Sequence, residues 1–121
     1  MIKLVFCLRR RPEMTREEFQ QYWYENHAPL VKRHATTLGI KRYVQVHSFE
    51  HDRSAPIQQS RGGPQEYDGV AELWYESFEA LAALRSPEAT AAGRELLEDE
   101  RKFIDLANSP LWWAQERPVI E

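Results

Sequence analysis

The chain has 121 residues, of which 42% are apolar, 12% aromatic and 29% charged, a composition typical of one globular domain over residues 1–121. Its 16 Lys and Arg against 19 Asp and Glu leave a net charge of −3, which argues against the broad basic surface of a nucleic-acid binder. The single cysteine, Cys7, excludes an intrachain disulfide, and no apolar run approaches the roughly 20 residues of a membrane span. We therefore expect a cytoplasmic protein with no membrane or nucleic-acid partner.

The N-terminal third predicts one strand and one long helix. Residues 2–8 form a short apolar run that favours a strand. Thr15 and Glu18 have the spacing of a capping box, which predicts the start of a helix. Residues that recur at helical spacing then mark its inward face: Phe19, Trp23, His27, Leu30, Val31 and His34.

Proline and glycine punctuate the middle of the chain. Pro29 has no backbone donor and disfavours helical geometry at the preceding residue, so we expect a kink or break within residues 26–28. Gly39 marks the end of the helix, and residues 40–49 are rich in Val and aromatic residues, which predicts a second strand. Residues 50–66 are polar and show no pattern, so we expect a lid or a mobile loop.

The C-terminal half repeats the order of elements. Residues 67–75 predict a third strand, and residues 111–117 a fourth. Between them Ser77 can cap a short helix, and Ser86 precedes Pro and Glu at the start of a longer one. The apolar register of this longer helix extends as far as Ala107.

The order strand, helix, strand, strand, helix, strand predicts an α+β fold, the ferredoxin-like βαββαβ arrangement with a four-stranded antiparallel sheet. Its helices can cover only one face of the sheet. Yet the first strand offers Leu4 and Phe6 on one side and Val5 and Cys7 on the other. A second copy of the chain, packed sheet against sheet, is the simplest cover for the remaining face, so we expect a homodimer.

Several side chains are candidates for chemistry. His27 lies on the inward helical stripe, where it could titrate near neutral pH as a general acid or base. The alternative, which periodicity alone favours, is a structural histidine bound to a carbonyl that Pro29 frees. On the second strand, one face carries polar and aromatic groups that suit a pocket wall or a partly wet sheet edge: Tyr43, Gln45, His47 and Phe49.

On the third strand, alternation places four residues on one face: Asp68, Val70, Glu72 and Trp74. Glu72 could orient or deprotonate a ligand. The alternative is an ion pair with a neighbour such as Lys3, Lys41 or Arg42. No metal is predicted, because His47 and His51 straddle a strand end and no zinc motif is present. No glycine-rich dinucleotide fingerprint occurs either, so no cofactor is expected.

Four blocks of this sequence resemble EthD-domain proteins: Arg9–Phe19, Trp23 with His27-Ala-Pro-Leu30, Tyr67–Trp74, and Ser86-Pro-Glu88. The resemblance spans nearly the whole chain and implies a dimeric α+β barrel. Annotation of that family leans towards oxidoreductase; similar fungal domains are dehydratases, and related barrels include isomerases and quinone-forming monooxygenases. By resemblance His27 matches the family histidine at the pocket and Trp23 its neighbour, while Tyr43, Asp68 and Glu72 are matched less securely.

Together these features predict a small enzyme without a cofactor, whose pocket between sheet and helices takes a small apolar, aromatic or carbonyl compound. The residues expected to act in catalysis are His27, Tyr43, His47 and Glu72. Those expected to contact substrate are Trp23, Phe19, Asp68 and Trp74. His27 would move a proton in a dehydration or isomerisation, whereas an oxidation would need oxygen reacting directly with the substrate or a haem held by His27. The rival expectation is a non-catalytic binding or accessory protein of a degradation or biosynthetic pathway.

Overall fold

The computed structural model describes residues 1–121. Its strands are β1 (Ile2–Leu8), β2 (Arg42–His47), β3 (Gly69–Tyr75) and β4 (Leu111–Ala114). Its α-helices are α1 (Arg16–Tyr22), α2 (Ala28–Leu38), α3 (Ser54–Ser60), α4 (Phe78–Ala83) and α5 (Pro87–Glu100). A π-helical turn, Trp23–His27, joins α1 to α2. None of the helices combines the length and apolar content that a membrane crossing requires.

The four strands form one antiparallel sheet in the order β2-β3-β1-β4. The two central strands, β1 and β3, therefore come from different halves of the chain, as the ferredoxin-like pattern requires. This confirms the α+β, ferredoxin-like prediction. Strands β2 and β4 are shorter than the segments predicted for them, because pairing with β3 and β1 stops at His47 and Ala114.

Helices α1, α2 and α5 pack against one face of the sheet and form the core there. The side chains buried most completely are Trp23, Phe19, Phe103 and Leu8. The Phe19 ring lies 5.6 Å from Trp23 and 5.5 Å from Phe103, centroid to centroid. These contacts join α1, β1 and the segment after α5 into one apolar cluster.

The other face of the sheet has no helix over it, and we call it the open face. Cross-strand partners point to the same side, so Val5, Val44, Glu72 and Trp112 share this face. Trp112 is 48% exposed, and Val46 on the same face is 45% exposed. The open face therefore carries apolar side chains, as the alternation in the sequence predicted, together with the charged residues Lys3, Arg42 and Glu72.

The long helix begins as predicted: the Thr15 hydroxyl accepts from the Glu18 amide, and the Glu18 carboxylate accepts from the Thr15 amide. Of the kink or break expected within residues 26–28, the break does not occur, because the backbone stays helical through His27 and Ala28. Instead the chain widens into the π turn, in which the Ala28 amide reaches back to the Trp23 carbonyl. A proline interferes with the carbonyl four residues earlier, and this widening accommodates Pro29 without ending the helix.

The π turn also aligns the buried side chains of the long helix. Phe19, Trp23, His27 and Val31 are all 5% exposed or less. A spacing of four residues overshoots a full α-helical turn by about 40° each time, so three such steps would spread over about 120°. One wider turn between Trp23 and His27 absorbs part of this drift and keeps the four side chains on one stripe.

Helix α5 ends earlier than its apolar register suggested. The last helical residue is Glu100, and Phe103 and Ala107 lie beyond it. The chain turns here because the Arg11 amide donates to the Phe103 carbonyl and the Asp105 amide donates to the Arg9 carbonyl. These bonds extend the sheet edge and direct the Phe103 ring into the core.

Residues 50–66, from which we expected a lid or a mobile loop, are not a loop throughout, since α3 lies within them. Pro56 read as a loop residue, but it lies in the first turn of α3, where backbone amides have no helical partner. The helix buries no side chain. Polar contacts connect α3 to the rest of the protein. The Gln58 side-chain amide donates to the Glu66 carboxylate at 2.7 Å, and this carboxylate forms an ion pair with Arg16 of α1 at 3.4 Å.

Candidate functional site

His27 lies at the end of the π turn, where its ring faces α5 and is 5% exposed. Its Nδ1 atom is 2.8 Å from Oδ2 of Asp99, and the other oxygen of Asp99 accepts the Tyr22 hydroxyl at 2.6 Å. An ionised carboxylate can only accept, so Nδ1 carries the proton of the neutral ring and Nε2 is left as a base. The polar partner of His27 is thus a carboxylate on another helix, not the carbonyl that the structural alternative supposed.

Burial and hydrogen bonding set the charges of this pair. Burial raises the pKa of Asp99, but hydrogen bonds from Tyr22 and His27 outweigh it and leave that pKa below its ordinary value. Burial lowers the pKa of His27 below 6.5, and the hydrogen bond and charge of Asp99 offset this only in part. At neutral pH the carboxylate is therefore ionised and the imidazole is neutral.

Glu100 is a second acid at this site, and sequence reasoning did not select it. Its Oε2 atom lies 4.0 Å from Nε2 of His27. Burial raises the pKa of Glu100 to about 7, and the negative charge of Asp99 adds to the rise. The signal was present in the sequence: Glu100 follows Leu96 by four residues on the apolar stripe of α5, where an acid is unusual.

A second polar network crosses β2. The Gln45 side-chain amide donates from Nε2 to the Trp23 carbonyl (3.0 Å) and to the Tyr43 hydroxyl oxygen (2.8 Å). Because a carbonyl only accepts, this fixes the orientation of the amide, and Oε1 of Gln45 accepts from Nε2 of His47 at 2.8 Å. The Tyr43 oxygen already receives one hydrogen bond, so its own proton is free to be donated. Burial raises the pKa of Tyr43 to about 12, which keeps that proton in place.

The two networks meet at a cavity of about 40 Å³ between the sheet and the helices. Its polar lining comes from His27, Tyr43 and Glu100. Its apolar lining is Phe6, Leu8, Trp23, Val31, Ala71, Leu73, Leu96 and Ile104. A space of this size holds about one water molecule. It offers a base, an acid and a hydrogen-bond donor inside an apolar wall, the set that proton transfer needs.

The cavity does not fit a haem held by His27. The four linked rings of a porphyrin cannot enter a space of about 40 Å³. No three His, Cys, Asp or Glu side chains are grouped so that they could hold a metal ion.

The other predicted residues of α1 and β2 lie around this cavity. Trp23 lines it, and His47 stacks on the indole with ring centroids 4.5 Å apart. His47 therefore lies behind Trp23 and reaches the cavity only through Gln45 and Tyr43. Phe19 is fully buried in the core beneath Trp23. Phe49 is 74% exposed and does not line this cavity.

The structure does not bring Glu72 and Trp74 to His27, because alternation along β3 directs both to the open face. Glu72 pairs with Lys3 at 3.0 Å, which is the ion pair that the sequence offered as the alternative. Trp74 donates from its indole nitrogen to Glu116 at 2.6 Å. Within one subunit, Trp74 and Trp23 therefore cannot line the same cavity.

Asp68 lies just before β3 and is 3% exposed. Its carboxylate accepts from the Arg10 backbone amide (2.9 Å) and from the Arg16 guanidinium (3.0 Å). Although burial raises the pKa of Asp68, these hydrogen bonds and the charge of Arg10 lower it overall. Asp68 thus joins α1 to the end of the sheet, away from the cavity residues.

Comparisons with known proteins agree with this architecture. The chain is similar to an ethyl tert-butyl ether d (EthD) family protein from Bacillus halodurans, with 19% identity, 97% of this chain and 100% of that chain covered, and a TM-score of 0.59. It is also similar to an EthD-like protein from Ralstonia eutropha (18% identity, 94% and 90% covered, TM-score 0.60). A dimeric protein of ferredoxin-like fold and unknown function from Bacteroides fragilis matches at 8% identity, with 95% of each chain covered and a TM-score of 0.55.

At these identities the solved structures show a shared fold and nothing beyond it. The sequence itself supplies the family, since the EthD domain matches residues 11–107. That match covers the long helix, β2, β3 and α5, and so includes His27, Tyr43, Asp99 and Glu100. The chain belongs to the EthD-domain family.

Proposed function

We propose that this protein is an enzyme that moves protons on a small apolar or aromatic carbonyl compound, in a dehydration or an isomerisation. The observation that carries the proposal is the pairing of His27 with Glu100 inside an apolar cavity, with Nε2 and Oε2 4.0 Å apart. A neutral imidazole and a carboxylic acid near its pKa are a base and an acid that coexist near neutral pH.

In a dehydration, each group has one task. Tyr43 donates a hydrogen bond to the substrate carbonyl and stabilises the negative charge that develops on its oxygen. Nε2 of His27 takes a proton from the carbon next to the carbonyl, and the carbon–hydrogen electron pair forms an enolate. Asp99, bound to Nδ1 at 2.8 Å, stabilises the resulting imidazolium.

The second half expels the hydroxyl group. The enolate electrons form the carbon–carbon double bond as the bond to the hydroxyl breaks, and Glu100 gives its proton to the departing oxygen, which leaves as water. His27 then returns its proton to Glu100, which restores both groups. In an isomerisation the same acid would instead protonate a different carbon of the enolate.

We also infer that two copies of the chain associate through their open faces. This rests on the exposed apolar side chains of that face, including Trp112 and Val46. An identical sheet is the simplest cover for such a face.

The experiment uses the aldol of benzaldehyde and acetone as substrate. It measures dehydration of this aldol by the absorbance of the product, the enone benzylideneacetone. We expect His27→Gln to lower turnover by about 10²- to 10⁴-fold, the usual contribution of a general base. The melting temperature and the dimer should change little. His34→Gln is the matched control, since His34 lies on the same helix and also pairs with an acid, Glu95, at 2.9 Å, but outside the cavity.

Full turnover per folded molecule in a destabilised His27→Gln variant would assign His27 a structural role and contradict the proposal. Wild-type protein that binds this aldol and other hydroxy ketones but converts none of them would instead indicate the non-catalytic binding protein that the sequence left open.

A further inference from the structure

A groove of about 580 Å³ lies outside the cavity, between α2 and the edge strand β2. Its floor includes Val31, Ile40 and Tyr43. Three basic residues line it: Lys32, Lys41 and Arg42. We call this feature the basic groove. Its volume lies in the range of sites that bind small organic molecules.

The charge of the basic groove is uncompensated. No acidic residue lines it, although the whole chain carries a net charge of −3. Lys32, Lys41 and Arg42 take part in none of the ion pairs of the structure, and all three are exposed. The Arg42 guanidinium lies over the Trp74 ring, 4.4 Å from its centroid, and is therefore directed to the open face. An anion in the groove would therefore meet two unpaired cations, Lys32 and Lys41.

The basic groove and the cavity share a wall that is one side chain thick. Val31 and Tyr43 line both spaces. Tyr43 is also the hydrogen-bond donor of the cavity, so movement of this side chain would open a path from the groove to His27. The cavity alone, at about 40 Å³, is too small for an organic substrate.

We propose that the substrate is an organic carboxylate, which binds with its negative end between Lys32 and Lys41 and with its apolar body directed past Val31 and Tyr43 towards His27. This inference rests on the proposed function and names the substrate class of the same site. A ligand with one charged end and an apolar body matches a groove with a basic rim and an apolar floor.

The test compares cinnamate with cinnamamide, which have the same body and differ in the charge at one end. By calorimetry at low salt, we expect wild-type protein to bind cinnamate roughly three- to tenfold more tightly than cinnamamide, and to lose most of this preference at high salt. The double variant Lys32→Gln/Lys41→Gln should bind the two compounds equally. Arg85→Gln/Arg94→Gln makes the same change in net charge with exposed residues outside the groove, and it should keep the preference.

Equal binding of both compounds by the wild type, or a preference that survives in the Lys32→Gln/Lys41→Gln variant, would overturn the proposal. So would an equal loss of preference in the control variant, because the effect would then come from overall charge and not from the groove.

NMR of the His27 ring tests where the apolar part of the bound cinnamate lies. The ring signal is assigned as the one that is absent from the spectrum of His27→Gln. Cinnamate should shift this signal in the wild type, and no shift at saturation would refute the path past Val31 and Tyr43. None of these measurements requires turnover. If the proposed chemistry fails, the preference for a carboxylate still decides the inference on its own.

Discussion

Asp99 and His27 are 72 residues apart in the sequence, yet the carboxylate accepts a 2.8 Å hydrogen bond from Nδ1 of the ring. The bond joins the π turn to the end of α5 and makes Nε2 the only basic nitrogen of the ring. The Tyr22 hydroxyl holds the second oxygen of Asp99 at 2.6 Å, so the carboxylate cannot rotate freely. The reactivity of His27 is thus controlled from another helix.

Asp99→Asn should lower the pKa of His27 further, because the amide removes the negative charge that now opposes the effect of burial. Titration of the ring signal by NMR measures this directly and needs no substrate. Tyr22→Phe keeps the charge of Asp99 and should move the pKa of His27 much less. An unchanged pKa in Asp99→Asn would mean that the carboxylate does not act on the ring.

Turnover should show a bell-shaped dependence on pH. His27 acts as a base only when neutral, above a pKa that burial lowers from 6.5. Glu100 acts as an acid only when protonated, below its pKa of about 7. The maximum should therefore lie between these two values. Rates measured across this range in Glu100→Gln should lose both the alkaline limb and most of the activity, and an alkaline limb that persists would exclude Glu100 as the acid.

Glu100 should make the protein less stable at alkaline pH. In the unfolded chain this carboxyl has an ordinary pKa of 4.5, whereas in the folded protein the pKa is about 7. The folded state holds the proton more tightly, so the free energy of unfolding is greatest below the unfolded pKa and falls as the pH rises through about 7. The full loss is about 3 kcal/mol.

Glu100→Gln removes this titration while keeping the size of the side chain. Urea unfolding should find the variant more stable than the wild type above neutral pH, by up to about 3 kcal/mol. Near pH 4 the two proteins should differ little, since the wild-type carboxyl is then protonated in the folded state. A variant less stable at alkaline pH would show that the ionised Glu100 is well solvated.

Sedimentation at micromolar concentration should give about twice the 14.3 kDa mass of the chain. Trp112→Glu places a charge on the open face and should give a monomer. Phe78→Glu is the control, because Phe78 is similarly exposed (52%) but contacts Trp113, on the side of the sheet that bears the helices. A wild-type monomer would remove the argument from the open face.

The fold could be predicted from the sequence because its signals are local. Capping residues such as Thr15, Ser77 and Ser86 each bind the amide three residues ahead, as their spacing indicates. The candidate site is less predictable, because it depends on which faces meet. Alternation along β3 shows that Glu72 and the residues next to it in sequence lie on opposite faces of the sheet. It does not show which of the two faces the helices cover.

Asp99 and Glu100 were missed for a related reason. The apolar stripe of α5 placed Glu100 inward, but nothing in the local pattern says that α5 packs opposite His27 rather than another helix. Periodicity also placed Phe103 and Ala107 in a helix that ends at Glu100. The apolar spacing continues in the sequence after the helix has ended, because there the Phe103 carbonyl and the Asp105 amide bond to Arg11 and Arg9 instead.

The π turn contains one residue more than the α-helical turn that it replaces. Deleting one residue between Trp23 and His27 would convert it into an ordinary α-helical turn and leave the segments on either side in nearly the same relative orientation. Phe19 and Val31 would still face the sheet together. The same deletion elsewhere in the long helix would rotate one part against the other by about 100°, and either Phe19 or Val31 would turn to solvent. The π turn is therefore a place in this helix where a codon can be lost without disrupting the core.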